Sequence, residues 1–135
     1  MKHIFRDDVL FHGSPYKLDK IIPNQAFDSQ FKEGCQLAIY ATSNIDMAIC
    51  FALGCVKDGK NAERIMMPEY GNKMCFINCH PNYGGKGYIY LLEKRKFTYA
   101  YGSQWVCYES LIPQQVIEIA VDKYLDSHCI IFNVF

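Results

Sequence analysis

The sequence predicts an α+β domain of mostly antiparallel, split β-sheets with one or two short helices. Short segments rich in aromatic and β-branched residues fill the second half of the chain, and Gly, Pro or Asn separates them. One segment in the first half instead carries apolar residues at helical spacing. The 135 residues, half of them hydrophobic, are enough for one core, so we expect a single domain over residues 1–135.

The chain begins with a predicted strand and a long predicted loop. VLFHG, residues 9–13, is an apolar run that ends in His12 and Gly13. Residues 14–35 then carry Pro, Asn, Asp, Ser and Gly with little periodicity, which is typical of a loop. Loops of this length inside a compact domain are usually functional. We therefore expect His12 to lie where a strand meets a functional loop.

A second predicted strand leads into the predicted helix. QLAIYAT, residues 36–42, is the strand. Ser43 is a candidate N-cap with Asp46 three residues later in the capping-box position, and Gly54 is a candidate stop. Apolar residues repeat at helical spacing between them, which predicts a helix over residues 43–54.

The remainder of the chain predicts seven strands separated by turns. PNYGGKG predicts a hairpin turn rather than a phosphate-binding loop, because no Ser or Thr follows its Lys and no helix is expected after it. The predicted strands are ERIMMP, KMCFINCH, GYIYLLE, KFTYAY, QWVCYES, QQVIEIAVDKY and CIIFNVF.

Charge and composition exclude some classes of partner. Fourteen basic residues balance fourteen acidic ones, so no overall positive field favours nucleic acid. The apolar runs are far shorter than the roughly 20 residues of a spanning helix, and the N-terminus lacks the apolar stretch of a signal peptide. We therefore expect a cytoplasmic protein with no membrane partner, and most of its seven cysteines are expected to be reduced thiols.

Cys75, Cys79 and His80, in the segment CFINCH, are candidate metal ligands. Their spacing is not that of a standard zinc site, and no second Cys/His pair complements them. On a strand, Cys75 and Cys79 share a face. We therefore expect the two cysteines to pack in the core, and we predict no metal cofactor.

Three segments combine polar residues with apolar surroundings: FHGS, IYATSNIDMAICFA and WVCYES. They carry His12 at a strand end, Tyr40 before the predicted helix and Glu109 on a late strand. In this order and spacing the segments resemble the ADP-ribosyltransferase superfamily, in the His-Tyr-Glu branch that includes the poly(ADP-ribose) polymerases and the diphtheria-toxin-like enzymes. GKGYIYLLE also resembles the central strand of the small rifamycin-modifying members.

The resemblance implies an ADP-ribosyltransferase-like fold and an enzyme of the glycosyltransferase class that uses NAD as substrate without metal. His12, Tyr40 and Glu109 would form the catalytic triad. Glu109 would stabilise the positive charge that develops on the ribose as the nicotinamide–ribose bond breaks, and it would orient or deprotonate the acceptor. One ADP-ribose would then pass to an acceptor, as in mono-ADP-ribosylation.

The resemblance also implies the residues that bind NAD. His12 would hydrogen-bond the adenine-side ribose, and Gly13 would let main-chain groups reach the nicotinamide amide. Ser14, the last residue of the FHGS motif, is also expected to contact NAD. Tyr40 would stack on the nicotinamide ring with Phe51 on its other side.

Each of these residues also has a purely structural interpretation. His12 and Tyr40 are then half-buried strand residues, Phe51 packs in the core, and Glu109 alternates outward to solvent. Ala48 stands where the polymerases carry a hydroxyl residue that bonds the nicotinamide amide. Ala48 and Phe51, the latter where the polymerases carry Tyr, leave an alternative function open: a catalytically inactive module that binds NAD, another ligand or a partner protein.

A third function, RNA 2'-phosphate transfer, ranks last. That reaction needs several basic residues to hold phosphates, and Arg6, Arg64 and Arg95 are widely separated in sequence. For the transferase, a protein side chain or a small molecule is favoured as the acceptor over nucleic acid. The sequence leaves the identity of the acceptor and the oligomeric state open.

Overall fold

The computed structural model describes residues 7–25, 36–57, 60–67, 71 and 73–132. The elements of the first half are β1 (Val9–Ser14), β2 (Asn24–Gln25), β3 (Leu37–Thr42), α1 (Ile45–Ala52) and β4 (Cys55–Lys57). The middle contains β5 (Glu63–Met67), β6 (Lys73–Ile77), β7 (Cys79–Pro81) and β8 (Lys86–Glu93). The last part contains β9 (Thr98–Tyr101), β10 (Gln104–Cys107), β11 (Gln115–Ala120), α2 (Leu125–His128) and β12 (Cys129–Phe132).

The described strands form three sheets. The largest has the order β11-β8-β1-β3-β10-β9, and β2 also pairs with β3. A second sheet has the order β12-β6-β5, and β4 pairs with β7 in a third. All of these pairs are antiparallel except β12 with β6, which is parallel. The predicted α+β class with mostly antiparallel sheets and two short helices is confirmed.

Each of the predicted strand segments contains a strand, with differences at turns. KMCFINCH is two strands, because Asn78 adopts a left-handed conformation with φ 54° and interrupts it. PNYGGKG is a turn, but it joins β7 to β8, which belong to different sheets, so the predicted hairpin is wrong. The short elements β2, β4 and α2 were not predicted, since two to four residues carry too little periodicity.

Helix α1 is shorter than predicted and has a different cap. Asn44, not Ser43, is the N-cap, and its side-chain oxygen accepts the Asp46 main-chain N–H at 3.0 Å. The helix ends at Ala52 rather than at Gly54. Asn and Ser cap helices about equally well, so local sequence does not decide between the two neighbours.

The predicted loop over residues 14–35 is described only to residue 25. Within it, Ile21 pairs with Leu111 through two main-chain hydrogen bonds of 2.9 Å. The hydroxyl of the buried Tyr90 donates to the Tyr16 carbonyl and accepts the Leu18 N–H, both at 2.6 Å. These contacts hold the described part of the segment against β8 and against the connection between β10 and β11. Residues 26–35 lie outside the described part.

The large sheet has an apolar cluster on each face. Val9 and Phe11 of β1 pack with α1 on one face, whereas Leu10 packs with the opposite cluster. This alternation follows from the two-residue period of a strand. No helix among the described residues is long and apolar enough to cross a membrane.

Two glycines allow α1 to lie directly on the main chain of the sheet. A Cβ built on Gly13 of β1 would lie 1.8 Å from the Ala48 carbonyl oxygen of α1. A Cβ on Gly87 of β8 would lie 2.3 Å from the Ala52 carbonyl oxygen. Both contacts are with main-chain atoms, which cannot rotate away. Helix α1 can approach the sheet this closely only because Gly13 and Gly87 carry no side chain.

We expect Gly13→Ala to lower the free energy of unfolding by about 3 kcal/mol, because the new methyl group overlaps α1. The matched control is Gly102→Ala, where φ is 55° and no atom lies within 4 Å of a built Cβ. Its cost is only that of left-handed backbone, about 1 kcal/mol. Urea denaturation measures both variants, and equal losses would contradict the close contact at Gly13.

Candidate functional site

A cavity opens where β1 and β3 part. The two strands share one register pair, Phe11 with Thr42, whereas β1 pairs with β8 along six residues. The cavity has a volume of about 410 Å³, and residues of β1, β3, α1, β5 and β10 line it. Clefts that bind small molecules usually measure roughly 300–1,000 Å³. The split in the sheet therefore creates a site of suitable size for a small molecule.

The structure brings together four of the six residues predicted for the site. His12, Gly13, Tyr40 and Phe51 all line the cavity. They come from β1, β3 and α1, so the sheet and the helix together place them. Ser14 and Glu109 are not among the lining residues.

His12 closes the gap between the parted strands. Its Nδ1 lies 2.6 Å from the Tyr40 carbonyl oxygen. A carbonyl only accepts, so in the neutral imidazole Nδ1 carries the proton and Nε2 keeps an acceptor lone pair. Desolvation by burial lowers the pKa of His12 below its ordinary 6.5, and the Tyr40 carbonyl opposes this only in part. The residue is therefore neutral at pH 7 and can accept a hydrogen bond from a ligand hydroxyl.

Tyr40 is held at both ends. Its carbonyl faces His12, and its hydroxyl accepts the Gln36 main-chain N–H at 2.9 Å. The Gln36 side chain in turn accepts a hydrogen bond from the Tyr108 hydroxyl. Tyr40 also lies opposite Val106 of β10, so its strand stays paired on the side away from β1. The ring is thus fixed as part of the cavity wall.

The helix supplies the remaining wall of the predicted site. Phe51 is partly buried, makes the core contact of the structural interpretation and also lines the cavity, where the predicted stacking on a ligand ring stays a prediction. Ala48 lines the cavity as well and offers no hydroxyl. The missing side chain of Gly13 has a clear structural reason, since it gives α1 its place above β1.

Ser14 and Glu109 lie elsewhere. The Ser14 hydroxyl accepts the Tyr16 N–H at 3.1 Å, which turns the chain at the end of β1. Glu109 follows β10, which ends at Cys107, and its side chain is 68% exposed. Its carboxylate lies 4.0 Å from the Lys96 ammonium, whose side chain is also partly exposed. The structure therefore places Glu109 outside the cavity, in the outward position of the structural interpretation.

Arg64 of β5 and Gln104 of β10 are among the polar lining residues that the sequence did not single out for the site. The Gln104 amide nitrogen lies 3.1 Å from the Met47 sulfur of α1. Gln104 occupies the first position of β10, the strand paired with the one that carries Tyr40. The pairing register of β10 with β3 places Gln104 near Tyr40. That register cannot be read from the sequence, so Gln104 was not predicted.

The candidate metal ligands belong to the core and its edge. Cys75 and Cys79 are buried, and burial raises the pKa of Cys79 to about 11. His80 lies with Nδ1 2.7 Å from the Pro81 carbonyl and stacks on Tyr83 at 5.1 Å between ring centroids. In the described part of the chain, no group of three His, Cys, Asp or Glu residues could hold a metal ion.

Comparison of the chain with protein-family models, with curated proteins and with solved structures gives no match. A functional proposal therefore rests on the cavity, its chemistry and the motif resemblance.

Because burial lowers the pKa of His12 in the folded state, unfolding takes up a proton between the lowered pKa and the ordinary value of 6.5. The free energy of unfolding therefore keeps its full value, as far as His12 is concerned, above pH 6.5. It falls as the pH decreases from 6.5 to the lowered pKa of His12. The slope is at most about 1.4 kcal/mol per pH unit.

We expect His12→Gln to lose this part of the acid destabilisation, measured by urea denaturation at a series of pH values. His80→Gln is the control for removing another partly buried histidine next to a main-chain carbonyl. A pH dependence in His12→Gln equal to that of the wild type would contradict the buried, neutral state of His12.

Proposed function

We propose that the chain binds NAD in the cavity between β1 and β3. One observation carries the proposal: His12, Gly13, Tyr40 and Phe51, predicted from separate motifs, line the same cavity. The resemblance of these motifs to the ADP-ribosyltransferase superfamily supplies NAD as the ligand. The cavity's size is compatible with part of a dinucleotide, the rest of which would extend over its open side.

The wall groups suit the parts of NAD in different ways. The rings of Tyr40 and Phe51 offer aromatic surface to the nicotinamide. The neutral His12 offers Nε2 as an acceptor for a ribose hydroxyl, which is a donor. Ala48 contributes no hydrogen bond to the nicotinamide amide, so that contact falls to main-chain groups or to Gln104.

Binding is better supported than transfer of ADP-ribose. Cleavage of the nicotinamide–ribose bond builds positive charge on the ribose, and a nearby carboxylate is the group that stabilises it. The described residues that line the cavity include no Asp and no Glu, and Glu109 lies outside. This absence favours the inactive NAD-binding module over the transferase.

ADP-ribose transfer is the second candidate, because Glu109 is only loosely held. Its contact with Lys96 is a 4.0 Å approach between partly exposed side chains, and such pairs typically contribute less than about 1 kcal/mol. Glu109 also follows the strand that is paired beside Tyr40. RNA 2'-phosphate transfer remains the least favoured, since Arg64 is the sole Lys or Arg among the described lining residues.

We expect Tyr40→Leu to weaken NAD binding at least about tenfold, because the variant loses the aromatic surface next to the nicotinamide. Tyr40→Phe keeps the ring and should bind NAD nearly as the wild type does. Tyr99→Leu, at an exposed tyrosine of β9, controls for the loss of a tyrosine outside the cavity. Calorimetric titration measures all four proteins, and equal affinities for NAD would contradict the proposed site.

Nicotinamide release from NAD separates the two candidate functions. The binding module is expected to release none above the uncatalysed rate. The transferase is expected to release nicotinamide and to lose roughly 100-fold or more of that rate in Glu109→Gln. Glu118→Gln is the matched control, because Glu118 is another exposed carboxylate paired with a lysine, Lys86 at 2.9 Å.

Gln104→Glu tests whether a carboxylate at the cavity is enough for nicotinamide release, since it adds one to the cavity wall. Release of nicotinamide in this variant alone would show that a wall carboxylate is what the wild-type cavity lacks. An equal rate in wild type, Glu109→Gln and Glu118→Gln would refute the role of Glu109.

A further inference from the structure

Arg64 reaches the cavity from β5 and meets the C-terminal end of α1. Its Nη1 donates to the Leu53 carbonyl and, at 3.4 Å, to the Phe51 carbonyl. Both carbonyls lie at the end of the helix, where the last turn leaves acceptors without helical partners and carries partial negative charge. One guanidinium nitrogen therefore caps α1 and fixes the position of the whole group.

The capping role leaves the other edge of the guanidinium unused. Within the described residues, each fully buried side-chain nitrogen or oxygen has a hydrogen-bond partner. The hydrogen bonds of Arg64 run from Nη1, so its Nε and Nη2 are in accessible space, and Arg64 lines the cavity. Nε–H and Nη2–H form one edge of the planar group and point the same way. This edge is the two-pronged donor that matches two oxygens of a phosphate or carboxylate.

The charge of Arg64 has no acidic counterpart on the cavity wall. None of the described lining residues is Asp or Glu, and His12 is neutral at pH 7. Burial lowers the pKa of Arg64, but a guanidinium stays protonated in proteins. A partly buried cation attracts an anion more strongly than an exposed one does, because the surrounding dielectric is lower.

We infer that Arg64 makes the cavity an anion site, and that its Nε/Nη2 edge binds a phosphate or pyrophosphate group of the ligand. The identity of the ligand as NAD rests on the proposed function, and the anion would then be the pyrophosphate that links the two nucleosides. Arg64 thus selects phosphorylated nucleotides over free nucleosides and bases. Its capping of α1 presents the donor edge in a fixed orientation before the ligand arrives.

The test compares ligands with and without phosphate in wild type, Arg64→Met and Arg95→Met. Arg95→Met removes the same charge from an exposed arginine that is paired with Glu93 and is not on the cavity. Calorimetric titrations use NAD, ADP-ribose, nicotinamide riboside and inorganic pyrophosphate. We expect Arg64→Met to weaken NAD and ADP-ribose binding at least about tenfold and not to weaken the binding of nicotinamide riboside, which has no phosphate. Arg95→Met should match the wild type.

The outcomes distinguish this inference from the proposed function. Binding of inorganic pyrophosphate that depends on Arg64, without binding of NAD, would refute NAD as the ligand and support the anion site. NAD binding of equal strength in wild type and Arg64→Met would refute the anion site and leave the proposed function standing. No binding of any of the four ligands to the wild type would refute both.

Loss of the α1 cap in Arg64→Met is controlled in two ways. Thermal unfolding and circular dichroism show whether the variant folds, and Arg64→Lys keeps a charge without the two-pronged edge. In the wild type alone, raising the sodium chloride concentration should weaken NAD but not nicotinamide riboside, because salt screens the attraction to the phosphates. Equal salt dependence for the two ligands would overturn the inference even if no Arg64 variant folds.

Discussion

Helix α1 lies against the bare main chain of β1 and β8, and this contact sets the position of the helical side of the cavity. Gly13 and Gly87 permit it, since a methyl group at either position would overlap a carbonyl oxygen of the helix. The same contact brings Phe51 to the cavity wall and turns the end of α1 toward Arg64. The small side chain at Gly13 therefore has a packing role that is independent of any ligand, and it shapes the site through the helix.

A second constraint is the end of the β1–β3 ladder at Phe11 and Thr42. Beyond this pair the strands separate, and the His12 imidazole contacts the Tyr40 carbonyl where strand pairing would otherwise continue. That contact satisfies a carbonyl on the parted edge and fixes which histidine nitrogen carries the proton. His12 therefore has two roles: its Nδ1–H bridges the parted strands, and its Nε2 presents a hydrogen-bond acceptor to the cavity between them.

The sequence predicts the parts of this site that depend on local patterns and fails where long-range register decides. His12 and Tyr40 are found from their strand-end positions and the motif resemblance, and Phe51 from the motif resemblance. Glu109 was expected on the site, but β10 ends at Cys107 and the side chain turns outward. Arg64 and Gln104 were missed because only the long-range contact of Arg64 with the end of α1 and the pairing of β10 with β3 bring them to the cavity. The parallel pairing of β12 with β6 is equally invisible in local sequence.

The charges around the cavity bear on which chemistry it can support. A cation at Arg64, a neutral acceptor at His12 and no acidic side chain among the described lining residues make the space favourable to an anion with hydroxyl groups. The same charges oppose positive charge on a bound ribose, because the guanidinium would repel it. In the proposed complex, the pyrophosphate neutralises Arg64 and removes that repulsion, but neutralisation alone does not supply the attraction that a carboxylate gives. Transfer chemistry in this cavity therefore requires a carboxylate from outside its described wall, and Glu109 is the candidate whose loose contact with Lys96 leaves it available.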